Sequence, residues 1–272
     1  MKKEKRAMQS AIGKPDLKGV APDVACDRYS GEKWGRISAH VPEEMALAVY
    51  VNQRELVTIL CTPTKLNCLV LGFLYTEGII SGIDDVADMR LCEEESLADV
   101  KLRNAEADLP ARRKLPSGCG GGAAFKTEVR RVDSDLIATP KAILSLMKQL
   151  KKQMVLYRLC GGVHTSALSD TNTLLVVAED IGRHNTLDKI QGECLLKGLA
   201  TRNRILLSTG RVSSEMLFKA ARMQVPVVAS RHSPTGSAVS LARDLGIALV
   251  GHARGRRLSV YSHPERLGCS RN

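Results

Sequence analysis

A chain of 272 residues, 44% of them hydrophobic, can bury a large core in one or two domains and is not of disordered composition. Aromatic residues make up only 3%, too few for the stacking platforms of a single-strand nucleic-acid binder, and no apolar run reaches membrane-span length. Forty Lys and Arg against 29 Asp and Glu leave a net charge of +11, which favours polyanionic partners: nucleic acid, an acidic protein or a phosphate-rich cofactor.

In chain order, residues 1–30 are basic, polar and rich in Pro and Gly, and read as a poorly ordered tail. No apolar segment follows the basic start, so a cytoplasmic protein without a signal peptide is expected. Residues 31–110 read as a small α+β domain. Its strands are Ala46 to Val51 and Glu55 to Cys61, joined by the turn Asn52-Gln53-Arg54. A helix follows from Thr64 to Leu74, ended by Gly78, then an acidic stretch over 84–99 and a short strand from Asp99 to Leu102. Residues 111–124 break the pattern with Pro116, Gly118, Gly120, Gly121 and Gly122 around Cys119, and read as a mobile loop. A second domain spans 125–272. Thr139-Pro140 opens a helix whose apolar face is Ile143, Leu144, Met147, Leu150 and Met154. Strands at 173–178, 204–208 and 226–230 then alternate with helices at 185–199, 213–223 and 235–245, and short strands fit 247–250 and 258–261. Such alternation implies a mostly parallel sheet covered by helices.

Ligands of such sheets bind beyond the carboxyl ends of the strands. Three exits carry similar chemistry here: Gly182-Arg183-His184-Asn185, Ser208-Thr209-Gly210-Arg211, and Ser230-Arg231-His232-Ser233-Pro234-Thr235. Each offers a cation, small hydroxyls and a nearby helix N-terminus, with Asn185 as helix cap. Either these form one shared polyanion site or they are three capped helices with solvated arginines. The run Gly251-His252-Ala253-Arg254-Gly255-Arg256-Arg257 reads as a basic loop, free in water or closed over phosphate. His164, after Gly161-Gly162-Val163, fits a hydrogen-bonded structural histidine better than a ligand. A second basic run, 141–158, holds Lys141, Lys148, Lys151, Lys152 and Arg158 with no acid.

Of eight cysteines, Cys61, Cys68 and Cys194 lie in apolar contexts and read as buried thiols. No paired spacing suggests a zinc site, so no metal is expected. Cys119 differs. A thiol among glycines, with Arg112, Arg113 and Lys114 nearby to favour thiolate, is either a sulfur acceptor or an incidental residue of a linker.

Taken together, the runs Thr62-Pro63, 71–80, Ser117-Gly-Cys-Gly120, Gly161-Gly-Val-His164, Glu179-Asp-Ile-Gly-Arg-His-Asn185, Asp188-Lys189, Thr209-Gly-Arg211, Pro234-Thr235 and 260–266 resemble the FdhD family, the accessory sulfur carriers of formate dehydrogenase. The resemblance implies a cytidine-deaminase-like α/β sandwich behind a smaller N-terminal α+β domain. Deamination is not expected, since His164 is followed by Thr165 and Ser166 and the zinc signature is missing. It further implies that Cys119 takes persulfide sulfur from a cysteine desulfurase. The sulfur then passes to the molybdenum cofactor Mo-bis(molybdopterin guanine dinucleotide) of formate dehydrogenase. The cofactor-binding segment falls on His252, Ala253, Arg254, Gly255, Arg256 and Arg257. A guanine nucleotide, with GDP or GMP as surrogate, suits Arg183, His184, Asn185, Arg211 and Arg231. A homodimer is implied, with no nucleic-acid or membrane partner. Many members carry a second cysteine where this chain has Gly122, which keeps open a second reading: a cofactor-binding chaperone in which Cys119 is incidental.

Overall fold

The computed structural model describes residues 19–105, 109, 113–115 and 129–269, the backbone alone at 113–115. It is a mixed α/β structure with three sheets. Strands β1 (Asp23–Ser30) and β2 (Lys33–His40) pair antiparallel as an exposed hairpin. Residues 23–30 had been expected in a tail. The turn at Gly31 (φ 56°) and Glu32 (φ 65°) closes the hairpin, and the rings of Tyr29 and Trp34 meet across it at 5.1 Å.

The second sheet has the order β5-β6-β3-β4-β7. Its strands are β3 (Met45–Val51), β4 (Arg54–Cys61), β5 (Val86–Cys92), β6 (Leu97–Leu102) and β7 (Arg113–Leu115). Helix α1 (Leu66–Thr76) covers one face, with Leu69, Val70, Phe73 and Leu74 buried against Leu47, Val49 and Val57. The acidic stretch is thus the hairpin β5–β6. Its carboxylates alternate with inward residues, which hides the period-two signal in a run of charge.

The third sheet has the order β13-β12-β11-β10-β8-β9. It is built from β8 (His164–Ser169), β9 (Leu174–Asp180), β10 (Ile205–Ser208), β11 (Val227–Ser230), β12 (Ala248–Arg254) and β13 (Arg257–Val260). The only parallel neighbours are β10–β11 and β11–β12; β8 runs against both β9 and β10, so β9 shares their direction without pairing with them, and β13 runs against β12. The expected mostly parallel sheet is therefore parallel only at its centre. The strand β8, which the small residues after His164 concealed, inserts between β9 and β10. Period-two alternation serves both faces. Leu206, Val228 and Leu249 face helices α4 (Arg183–Leu196), α5 (Ser214–Arg222) and α6 (Gly236–Leu245). Ile205, Leu207, Val227 and Val250 face α2 (Pro140–Gln153), whose Thr139 cap accepts the Ala142 N–H at 3.2 Å. The short α3 (Val155–Cys160) follows α2 directly.

The two larger sheets are joined through α1 and α4, which touch at backbone distance. A Cβ on Gly72 would lie 1.7 Å from the Asp188 carbonyl oxygen, and one on Gly192 would lie 1.9 Å from that of Cys68. Helix α4 is therefore buried on both sides, so its polar residues need partners inside the protein. Lys219 of α5 holds Asp188 at 2.9 Å and Glu77 at 3.0 Å. Burial opposes its charge, but those two carboxylates keep the Lys219 pKa raised. No helix among the described residues is long and apolar enough to cross a membrane.

Candidate functional site

Strands β9, β10, β11 and β12 all end at one edge of the third sheet, and β8 begins there, since His164 pairs with Asp180. The exits are bound to each other in sequence. Arg231 donates its N–H to the Ser208 carbonyl at 3.2 Å, and the Ser230 hydroxyl donates to the Gly210 carbonyl at 2.6 Å. Val212 and Pro234 form a further bridge, and the His252 N–H reaches the His232 carbonyl at 3.3 Å. A Cβ added to Gly210 would lie 3.2 Å from the Arg183 Cβ and 3.3 Å from the His164 Nδ1. The first and second exits thus meet across a glycine that leaves room between the aliphatic stem of Arg183 and the His164 imidazole.

The electrostatics follow. Burial lowers the His164 pKa, and Arg183, His232 and Arg211 lower it further, with only Asp180 opposing. Burial also drives His184 down to about 3, helped by Arg183, Lys219 and His164. His184 is therefore neutral, its Nε2 between the Ser213 hydroxyl at 3.2 Å and the Glu215 carboxylate at 3.3 Å. Ser213 is the N-cap position of α5 without a side-chain cap bond, because its hydroxyl serves His184. Arg183 and His164 thus stand beside Gly210, and the fields of Arg183, Arg211 and His232 all reach His164, an arrangement that an anion would stabilise. His164 was expected to be structural. Only the β8 strand places it here, and no local signal gave that strand.

The other expected residues divide. Arg211 is exposed and Arg231 half-buried at the same edge. Asn185 is not a helix cap: α4 starts at Arg183 with Gly182 as N-cap, not at 185. The Asn185 amide instead donates to the Leu60 carbonyl and to Asp180 Oδ1, both at 2.8 Å. Asp180 is fully buried and also accepts the N–H groups of Gly182 at 2.7 Å and Thr62 at 3.1 Å. Its Oδ2 lies 2.6 Å from the buried Lys189 ammonium, which donates to Thr62, Thr64 and Glu179 as well. Half of the motif therefore pins the strand exit to the end of β4. The expected loop 251–257 is largely strand. β12 continues to Arg254, which pairs with Arg257 across Gly255 (φ 63°) and Arg256, so this run is a hairpin tip. Ala253 points into the core on the α2 side and is fully buried, unlike a ligand contact; Arg254, Arg256 and Arg257 are exposed at the tip. The bulge at His252 (φ 52°) lets β12 carry on past the sheet edge.

Cys119 lies outside the described residues. The last described strand before it in sequence, β7, runs parallel to β4 with Leu115 opposite Ile59. Both strands head toward Thr62, which accepts the Ile181 N–H at 3.1 Å. Four of the described thiols are held back from the thiolate form. Burial pushes Cys61 and Cys194 up to about 12 and raises Cys68, as their apolar contexts led one to expect. Burial and Glu179 also raise Cys160.

A mixed six-stranded sheet with arginines and histidines at one edge, joined to a five-stranded α+β half, defines an α/β protein of two fused sheets. The model of the FdhD/NarQ family matches residues 42–268, and the chain belongs to that family. It is 36% identical over 248 residues to the sulfur carrier protein FdhD of Staphylococcus aureus strain MRSA252, covering 88% of this chain and 94% of the relative. The same protein of strain Newman matches equally. The crystal structure of a formate dehydrogenase accessory protein from Desulfotalea psychrophila superimposes with a TM-score of 0.77 at 26% identity, over 91% of this chain and 99% of that one.

Proposed function

We propose that this chain is a sulfur carrier for formate dehydrogenase. In this reading Cys119 receives persulfide sulfur from a cysteine desulfurase and delivers it to Mo-bis(molybdopterin guanine dinucleotide), the substrate held at the cation-lined edge. The observation that carries the reading is the meeting of Arg183 and His164 at Gly210, with Arg211 and His232 close enough to act on the His164 charge, which suits the phosphates of a guanine dinucleotide. The direction of β7 supports the other half. Cys119 is four residues beyond Leu115, a reach of at most about 14 Å, and β7 points toward the Asp180–Arg183 corner. In the loading step the Cys119 thiolate attacks the outer sulfur of the donor persulfide. A new S–S bond forms on Cys119, and the donor cysteine leaves as thiolate. Release of the carried sulfur as sulfide takes two electrons from a reductant of the dithiol class.

The reading extends to a cytidine-deaminase-like sandwich for the six-stranded half, supported by its sheet with helices on both faces, and to a cytoplasmic homodimer. The exposed hairpin tip Arg254–Arg257 serves as an outer clamp on the nucleotide rather than a closed loop. The test is mass spectrometry of the full chain after incubation with a desulfurase and cysteine, together with GDP calorimetry. A persulfide on the wild type and none on Cys119→Ala, with GDP affinity equal in both, is the expected result. GDP binding that needs Arg183 and Arg211 but no sulfur on Cys119 would favour the chaperone reading, which the glycine at position 122 supports.

A further inference from the structure

One basic surface is used neither by the core nor by the sheet edge. Helix α2 buries Ile143, Leu146, Met147 and Leu150, which turns Lys141, Lys148, Lys151 and Lys152 outward, all exposed. Lys148, Lys151 and Lys152 stand at i, i+3 and i+4 and share one face. Arg158 of α3 folds back and donates through Nη1 to the carbonyls of Lys152 at 2.9 Å and Lys151 at 3.4 Å, so a fourth cation is fixed beside them. The C-terminal end of α2 tolerates cations, but four on one patch repel each other. Two carboxylates of the adjoining strand ends serve backbone groups instead. Glu179 accepts the N–H groups of Leu156 at 2.7 Å and Tyr157 at 3.1 Å, and Asp170 accepts those of Asn172 and Thr173 at 2.7 Å each. Beside Arg158 two large side chains face solvent, Tyr157 at 47% and Leu159 at 38% exposure. Beyond the end of α3 the chain turns through Gly161 and Gly162 to His164, at the sheet edge that holds Arg183.

We propose that the α2–α3 face docks a protein partner whose contact patch carries carboxylates around an apolar side chain. Charge complementarity requires the acids, and Leu159 and Tyr157 require the apolar centre. Nucleic acid fits less well, since a phosphate backbone gives Leu159 no partner. A protein bound here sits beside the strand exits, where a donor or acceptor of the carried group must arrive; this placement rests on the sulfur-carrier reading, whereas the docking chemistry does not.

The probe is a labelled helical peptide with glutamates spaced around two leucines, titrated by fluorescence anisotropy against the full chain. Saturable binding is expected. Lys148→Gln/Lys151→Gln/Lys152→Gln should weaken it about tenfold, as loss of several exposed ion pairs does, and adding Arg158→Gln should weaken it further. Tyr157→Ala/Leu159→Ser should also weaken it, while GDP affinity stays at the wild-type value in the lysine triple variant. Absence of peptide binding overturns the proposal. So does equal binding of an all-glutamate peptide or of duplex DNA, which marks a non-specific polyanion surface. Concentration-dependent self-association that the lysine variant abolishes assigns the face to a second copy and overturns it too. GDP affinity that Arg183 and Arg211 variants leave unchanged, with peptide binding intact, would be failure of the proposed anion edge and not of this docking face.

Discussion

Replacing Lys189 by methionine tests whether the motif is partly scaffold. The ammonium is fully buried, 2.6 Å from Asp180 Oδ2, and donates to the carbonyls of Thr62 at 3.0 Å and Glu179 at 3.3 Å and to the Thr64 hydroxyl at 2.9 Å. Methionine keeps most of the buried stem, so the loss is electrostatic rather than a cavity. It leaves the Asp180 carboxylate buried with only the N–H donors of Thr62, Gly182 and Asn185. Breaking one side of a buried pair costs about 3–5 kcal/mol. At about 2–4 °C per kcal/mol for chains of this size, the thermal midpoint should fall by on the order of 10 °C. Because the ammonium ties Thr62, at the end of β4, to Asp180, at the end of β9, the variant should also broaden or split the unfolding transition. Lys189→Met/Asp180→Asn removes both charges and should be more stable than Lys189→Met alone. Urea and calorimetric unfolding of the wild type, both singles and the double variant give the coupling energy. A single-variant loss below about 1 kcal/mol, or strictly additive losses, would refute the assignment.

Gly192→Ala should destabilise by about 1–3 kcal/mol or more, because its Cβ would meet the Cys68 carbonyl at 1.9 Å and force α1 from α4, whereas Gly236→Ala, which meets nothing within 4 Å, should be near neutral in the same thermal assay. For His184 the folded pKa lies below the unfolded value, so the unfolded chain binds more protons as pH falls. Stability is then full above about pH 6.5 and is lost progressively toward about pH 3. Between pH 7.5 and 5 the wild type should lose about 1–2 kcal/mol more than His184→Gln in urea unfolding, and parallel losses would show that His184 is not the group responsible.

The elements that a single period describes were legible. Strands β3, β4, β9, β10 and β11 and helices α1, α2, α5 and α6 follow from alternation or from one apolar stripe, and each lies within a few residues of its expected span. Elements whose partners are distant were not. β8 is built of small residues between β9 and β10, and β5 lies in a run of acids. The hairpin β1–β2 buries little, and its composition alone gives no sign of it.

The site shows the same division on a finer scale. A turn from strand to helix rich in polar residues suggested ligand chemistry for every one of them, and the sequence offered no way to separate those facing the edge from those facing inward. What separates them is the packing of α1 on the far side of α4, a contact between segments more than a hundred residues apart that depends on Gly72 and Gly192. Once α4 is enclosed, Asn185, Asp188 and Lys189 must find partners inside, and they find them at Leu60, Thr76 and Asp180. Arg183 and His184, one turn earlier, stand where the enclosure ends and the strand exits begin. The motif thus spends its later residues locking the first exit to the second sheet, so that Arg183 meets Gly210 at a fixed distance. A substitution at Lys189 should therefore damage anion binding through geometry, and one at Arg183 through charge.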